Sequence, residues 1–248
     1  MAKNRENCLI LLVSAPEQDK IGKDFQTVFG PERALHVTGD LLAHAYKTLK
    51  AYNNAILILS YEKTAQHPDL TWLDPEDPGF LEMKPGTLDE RIKDVFQLAF
   101  FTGAKKAVII DPLSPEVRAD WLSQAFEALG DKSVALGANQ DGSFYLLGLT
   151  QQNMKLVEAP GFTSGKSAEA LTERAKKAKL SVFSTPETYC VNSEDSLRKW
   201  QESREAMPQF PGLPPVPKPA EPEPKRNHRR HAKAQDAGPK PPDAQTFI

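Results

Sequence analysis

Only two cysteines, Cys8 and Cys190, occur in 248 residues, so no disulfide framework can hold the fold together and a reducing, cytoplasmic setting is expected. Long apolar runs are also absent. The longest near the start, Cys8 to Val13, falls far short of the roughly 20 residues that span a bilayer, and it is too short for a signal-peptide core. Neither charge sign dominates: 31 Lys and Arg oppose 33 Asp and Glu, which argues against a surface built throughout to hold nucleic acid. No G-x-G-x-x-G run exists, and this excludes the fingerprint of a Rossmann dehydrogenase. The one phosphate-loop lookalike, Gly161 to Ser167, is a residue short between its glycines and reads first as a helix start. Histidine and cysteine show neither metal-ligand spacing nor a nucleophile pattern.

Proline is unevenly placed. Residues 205–248 hold 11 of the 21 prolines and 7 basic against 5 acidic residues, leaving 24 basic against 28 acidic in residues 1–204. Such a segment buries too little apolar surface to offset the entropy of ordering, so two parts are expected: a folded domain over 1–204 and a disordered, polyproline-like tail over 205–248. Within the tail, Lys225 to Lys233 places five fixed cations in nine residues. It could meet an anionic surface, the nearby PPVPKP could meet a proline-reading partner, or the tail could be a solvated spacer.

The body alternates short apolar runs with amphipathic ones. Cys8–Val13, Ala55–Leu59, Ala107–Ile110, Val134–Leu136, Phe144–Leu149 and Leu180–Phe183 have strand length. Helices are expected from Pro31 to about Tyr52, and from the capping box Thr87/Glu90 to Gly103. Three more should run from Ser114-Pro115 to Gly130, from Ser164 or Ser167 to about Lys179, and from Ser193 to about Arg204. Strands alternating with helices predict an α/β fold with a mostly parallel sheet, in which ligands bind in the loops after the carboxyl ends of strands. Those loops contain Ser14–Lys23, Tyr61–Pro68, Asp111–Ser114 and Asn139–Gly142. Asp111 could hold a divalent cation or be a turn residue, and Asp141-Gly142 could face a ligand or form a turn.

A strand ending in Ala-Pro, the helix PGTLDERIKDVFQLAF, a Ser-Pro-Glu start, DGSFYLLGL and a closing Tyr-x-Val-x-Ser-Glu-Asp together resemble a bacterial family of largely uncharacterised glycosyltransferase-A-fold proteins. The likeness covers about residues 7–200. It implies a three-layer α/β/α sandwich of the nucleotide-diphospho-sugar transferase type. A nucleotide-sugar would lie against Ala15, Pro16, Lys20, Lys23 and Arg91. The acceptor would lie near Asp141, Gly142 and Tyr145, with Asp141 the catalytic candidate. The likeness also implies a divalent cation, Mg or Mn, for which the candidate ligand in this chain is Asp111, two residues before the family's metal position. Arg91 could instead pair with Glu90 on the helix surface, and Tyr145 could be core.

The family pattern is altered where charge matters. Asp24 and Asp19 stand for the family's Arg and Gly, Leu113 for its metal-binding Asp, and Asn192 for a second Asp. The resemblance therefore implies a glycosyltransferase-like protein with weakened or lost metal-dependent catalysis. The alternative is a non-catalytic scaffold that binds a ligand or a protein on the same fold.

Overall fold

The computed structural model describes residues 4–162 and 166–204. Seven strands, β1 (Asn7–Val13), β2 (Ile56–Tyr61), β3 (Leu81–Glu82), β4 (Lys106–Ile110), β5 (Ser133–Ala138), β6 (Phe144–Thr150) and β7 (Ser181–Ser184), form one sheet in the order β3-β2-β1-β4-β6-β5-β7. Six helices accompany them: α1 (Lys23–Phe29), α2 (Pro31–Ala51), α3 (Leu88–Phe101), α4 (Ala119–Ala128), α5 (Ser167–Lys177) and α6 (Glu194–Arg204).

Side chains of β1 alternate between two apolar layers, as the two-residue period of a strand requires. Leu9, Leu11 and Val13 pack with Leu42, Tyr46 and Leu49 of α2 and with Trp121, Leu122 and Ala125 of α4. Cys8 and Ile10 pack on the opposite face with Ile92, Val95 and Phe96 of α3 and Leu171 and Ala175 of α5. Covering both faces is what lets β1 read as a continuous apolar run. Each fully buried Leu or Ile contributes about 1.5–3 kcal/mol to holding these layers together. The result is the expected three-layer sandwich. A third cluster joins α1, α2 and α6 through Phe29, Val37, Leu41, Val191, Leu197 and Trp200.

β1 pairs in parallel with β2 and β4, β2 with β3, and β5 with β7. β6 runs antiparallel to both neighbours, β4 and β5. Asp141-Gly142 turns the β5–β6 hairpin: Gly142 has φ 86°, and Asp141 Oδ1 accepts from the Ser143 amide (2.9 Å) and hydroxyl (2.6 Å). The turn therefore lies at the same edge of the sheet as the carboxyl ends of β1, β2 and β4.

Two points of the expected pattern need correction. The helix expected at Ser114-Pro115 begins at Ala119, because Ser114 is buried and its hydroxyl is committed to Asn139 Oδ1 (3.1 Å) rather than to capping. That helix ends at Ala128 with Leu129 as its C-cap, so it stops at Gly130 as expected. Sequence reading assigns no element to Lys23–Phe29, a seven-residue helix that buries only Phe29 and so carries almost no periodic signal. By contrast the Thr87/Glu90 capping box is present as expected, and Ser193 caps α6 by accepting from the Ser196 amide (3.2 Å). Residues 163–165, including Ser164 and the middle of the phosphate-loop lookalike, and the tail from 205 lie outside the described residues. Among the described residues no helix is long and apolar enough to cross a membrane.

Candidate functional site

The chain leaves β1 to one side for β2 and returns to the other side for β4, so a crevice opens at the carboxyl ends of β1 and β4. Immediately after β1, Val13, Ser14 and Ala15 line a cavity of about 340 Å³ together with Asp19, Lys20, Glu62, Pro85, Gly86 and Arg91. Of the residues assigned to nucleotide, Ala15, Lys20 and Arg91 are brought together here. Pro16 and Lys23 are not in its lining; Lys23 is exposed at the start of α1. Asp24, its neighbour on α1, is exposed and outside the lining as well, so the acidic residues of the lining are Asp19 and Glu62.

Arg91 owes its position to the capping box. Thr87 and Glu90 fix the first turn of α3, with the Glu90 carboxylate accepting from the Thr87 amide (2.8 Å). Glu90 is thus turned back on its own helix, and Arg91 reaches across to the sheet, where Nη2 donates to the Val13 carbonyl (3.2 Å). Its Nε is buried with no hydrogen-bond partner. Burial pushes the guanidinium pKa down, and the Glu62 carboxylate opposes that shift. A guanidinium remains charged throughout, so the cavity wall carries a cation with donors to spare.

The loops after β1 and β2 are tied by three contacts. Lys20 Nζ meets Glu62 Oε1 at 2.8 Å, and Glu17 Oε1 meets His67 Nδ1 at 2.8 Å and the Thr64 hydroxyl. Hydrogen bonds from Thr64 and then His67 hold the Glu17 carboxyl below its usual range.

A second group lies at the carboxyl end of β4. The Asp111 amide bonds the Tyr145 carbonyl (2.9 Å), which sets Asp111 beside the start of β6. Asp111 is half-buried, and burial pushes its carboxyl up to about 6; the Leu113 amide at 3.1 Å pulls it down, and the charge of Asp141 pushes it further up. The Cys190 thiol is raised first by burial and then by Asp111 and Asp141, so these three groups sense one another. Asp141 and Asn192 also line a cavity of about 310 Å³ with Cys190, Tyr189 and Lys199.

Tyr145, assigned to the acceptor side, must be reassigned to packing. It is fully buried, its hydroxyl meets Thr185 Oγ1 (2.7 Å) and the Pro186 carbonyl (2.8 Å), and its ring lies directly over Gly137.

The carboxylates here are largely engaged by the protein itself. A hard cation takes about six or more oxygens. Asp141 spends Oδ1 on Ser143 and Oδ2 on the Asn192 amide (2.7 Å), and Asp111 Oδ1 accepts from Leu113. Among the described residues no group of three His, Cys, Asp or Glu is placed to hold a metal. Sequence reading pointed to Asp111 and Asp141 separately. It singled out Asp19 in the loop after β1 but missed Glu62 as a cavity residue, and only the place of Glu62 after β2 could have suggested it.

This arrangement is a Rossmann-like α/β/α sandwich, and solved structures share the fold. A protein from Desulfovibrio desulfuricans G20, provisionally named a nucleotide-diphospho-sugar transferase, superposes with a TM-score of 0.71 at 22% identity, covering 84% of this chain and 90% of that one. A 4-diphosphocytidyl-2C-methyl-D-erythritol synthase from Anaerococcus prevotii gives 0.54 at 10% identity, covering 82% and 96%. A nucleotidyl transferase from Methanothermobacter thermautotroptrophicus gives 0.53 at 9%, covering 80% and 97%. At these identities the likeness is one of fold. The chain belongs to the bacterial family described as an uncharacterized protein conserved in bacteria (DUF2064), whose profile matches residues 37–160. No curated protein matches it.

Proposed function

We propose that this chain is a cytoplasmic, nucleotide-sugar-binding protein of the transferase fold in which metal-dependent sugar transfer is weakened or lost. The diphosphate lies in the cavity after β1, against Ala15, Lys20 and Arg91. The observation that supports this reading best is Arg91: a partly buried guanidinium with a partnerless Nε, anchored to the carboxyl end of the central strand. Arginine forks suit phosphate oxygens, and strand ends at a change of direction are where such folds take ligands. The donor set supports weakened transfer. Asp141 is satisfied within its own turn and by Asn192, and Leu113 supplies no ligand where the resemblance expects one.

A thermal-shift panel of nucleoside diphosphates and nucleotide-sugars, with and without Mg²⁺ or Mn²⁺, tests both parts, because a ligand that binds only the native state raises the melting point by mass action. The expected result is a metal-independent rise that Arg91→Met removes, with nucleotide-sugars left intact on long incubation. Metal-stimulated release of nucleoside diphosphate, abolished by Asp111→Ala, would overturn the loss of transfer. No rise with any nucleotide would overturn the binding site itself.

A further inference from the structure

The cavity after β1 already holds an anion of its own. Along β2 the side chains alternate, so Tyr61 enters the apolar layer shared with α2 and α4 while Glu62, the next residue, turns to the side of the sheet where α3 begins. Its direction is fixed from behind. The Tyr61 carbonyl accepts from the Met83 amide (2.9 Å), β2 pairs with β3 at Tyr61 and Glu82, and Lys63 is held by Glu82 (2.6 Å). Glu62 therefore faces the cavity at rest. Its carboxylate bonds Lys20 Nζ at 2.8 Å, with both side chains mostly buried, and its charge also bears on Arg91. Both cations that the phosphate reading assigns to the ligand thus face one internal carboxylate. With Asp19 on the rim, Lys20 and Arg91 are balanced by Glu62 and Asp19, and the cavity has no net charge to offer.

We propose that Glu62 is an internal stand-in for phosphate: an autoinhibitory contact that keeps Lys20 occupied and admits an anionic ligand to the cavity only by exchange. This rests on the phosphate reading of the same cavity. Exchange selects among ligands. A small carboxylate merely replaces one negative charge by another, whereas a diphosphate carries enough charge and oxygen acceptors to engage Lys20 and Arg91 together once Glu62 yields. Removing the Glu62 charge while keeping its shape should therefore expose a latent anion site.

Calorimetry of the full-length protein with inorganic pyrophosphate and with uridine diphosphate, on wild type, Glu62→Gln, Arg91→Met and the double variant, tests the idea. Thermal melts would confirm that each variant is folded. Glu62→Gln should tighten both probes by about tenfold or more, the scale of one freed charge-assisted bond, and Arg91→Met in the same chain should erase the gain. If wild type binds, Arg91→Met abolishes binding and Glu62→Gln changes nothing, Glu62 is a bystander and the inference falls while the nucleotide reading stands. If neither wild type nor Glu62→Gln binds either probe, both fall. If Glu62→Gln weakens binding, Glu62 helps to organise the site, and autoinhibition is refuted.

Discussion

Replacing Asp111 by Asn should stabilise the protein at neutral pH and leave it nearly unchanged in acid. Burial lifts the Asp111 carboxyl from 3.8 to about 6 in the native protein, so the folded state holds its proton more tightly than the unfolded chain does. The stability this confers is fully present below about 3.8 and is lost as pH rises through about 6. Above that the native state carries a carboxylate it disfavours. A displacement of about two pH units corresponds to about 3 kcal/mol as an upper bound, at about 1.4 kcal/mol per unit. Because Asp111 is only half-buried, about 1–2 kcal/mol is the expected gain for Asp111→Asn at pH 7.5. Asn retains the oxygen that accepts from the Leu113 amide, so the turn should survive. Urea unfolding of both proteins at pH 4, 5.5 and 7.5 measures this directly. The difference should grow with pH and level off above about 6.5. A variant that is destabilised at pH 7.5, or a difference that does not change with pH, would refute the account of Asp111. A carboxylate that costs stability at the carboxyl end of a central strand marks a position packing alone does not favour.

Gly137→Ala should be costly: its Cβ would lie 2.4 Å from Tyr145 Cζ and 2.6 Å from Thr185 Oγ1, two groups that also bond each other, so a loss of about 1–3 kcal/mol is expected by thermal or urea unfolding. Gly39→Ala, in the interior of α2 with nothing within 4 Å of the new methyl, should instead gain about 0.5–1 kcal/mol in the same assay. Thr87→Ala removes the N-cap of α3 and should cost about 1 kcal/mol; because α3 carries Arg91, the melting-point rise with nucleotide should shrink as well.

The amino-acid pattern by itself determined the layered architecture. Runs such as Cys8–Val13 and Phe144–Leu149 are apolar at every position because both faces of the sheet are covered, and that local signal does not depend on which strands are neighbours. The Thr87/Glu90 box and the Ser193 cap are equally local, set by bonds spanning three residues, and they were legible for that reason. The antiparallel direction of β6 was not, since a buried run looks the same in either direction; pairing with β4 and β5 decided it. Nor could the sequence separate Tyr145, which disappears over Gly137, from Asp111, which stays half-buried at the end of β4, the strand beside β1. The site was legible only as a set of loops. What meets what within it depended on tertiary contacts: Arg91 with the Val13 carbonyl 78 residues away, Lys20 with Glu62 across 42, and Asp141 with Asn192 across 51. Electrostatics at such a site depends on through-space distance, and sequence spacing carries no information about distances of that kind until the sheet order is known.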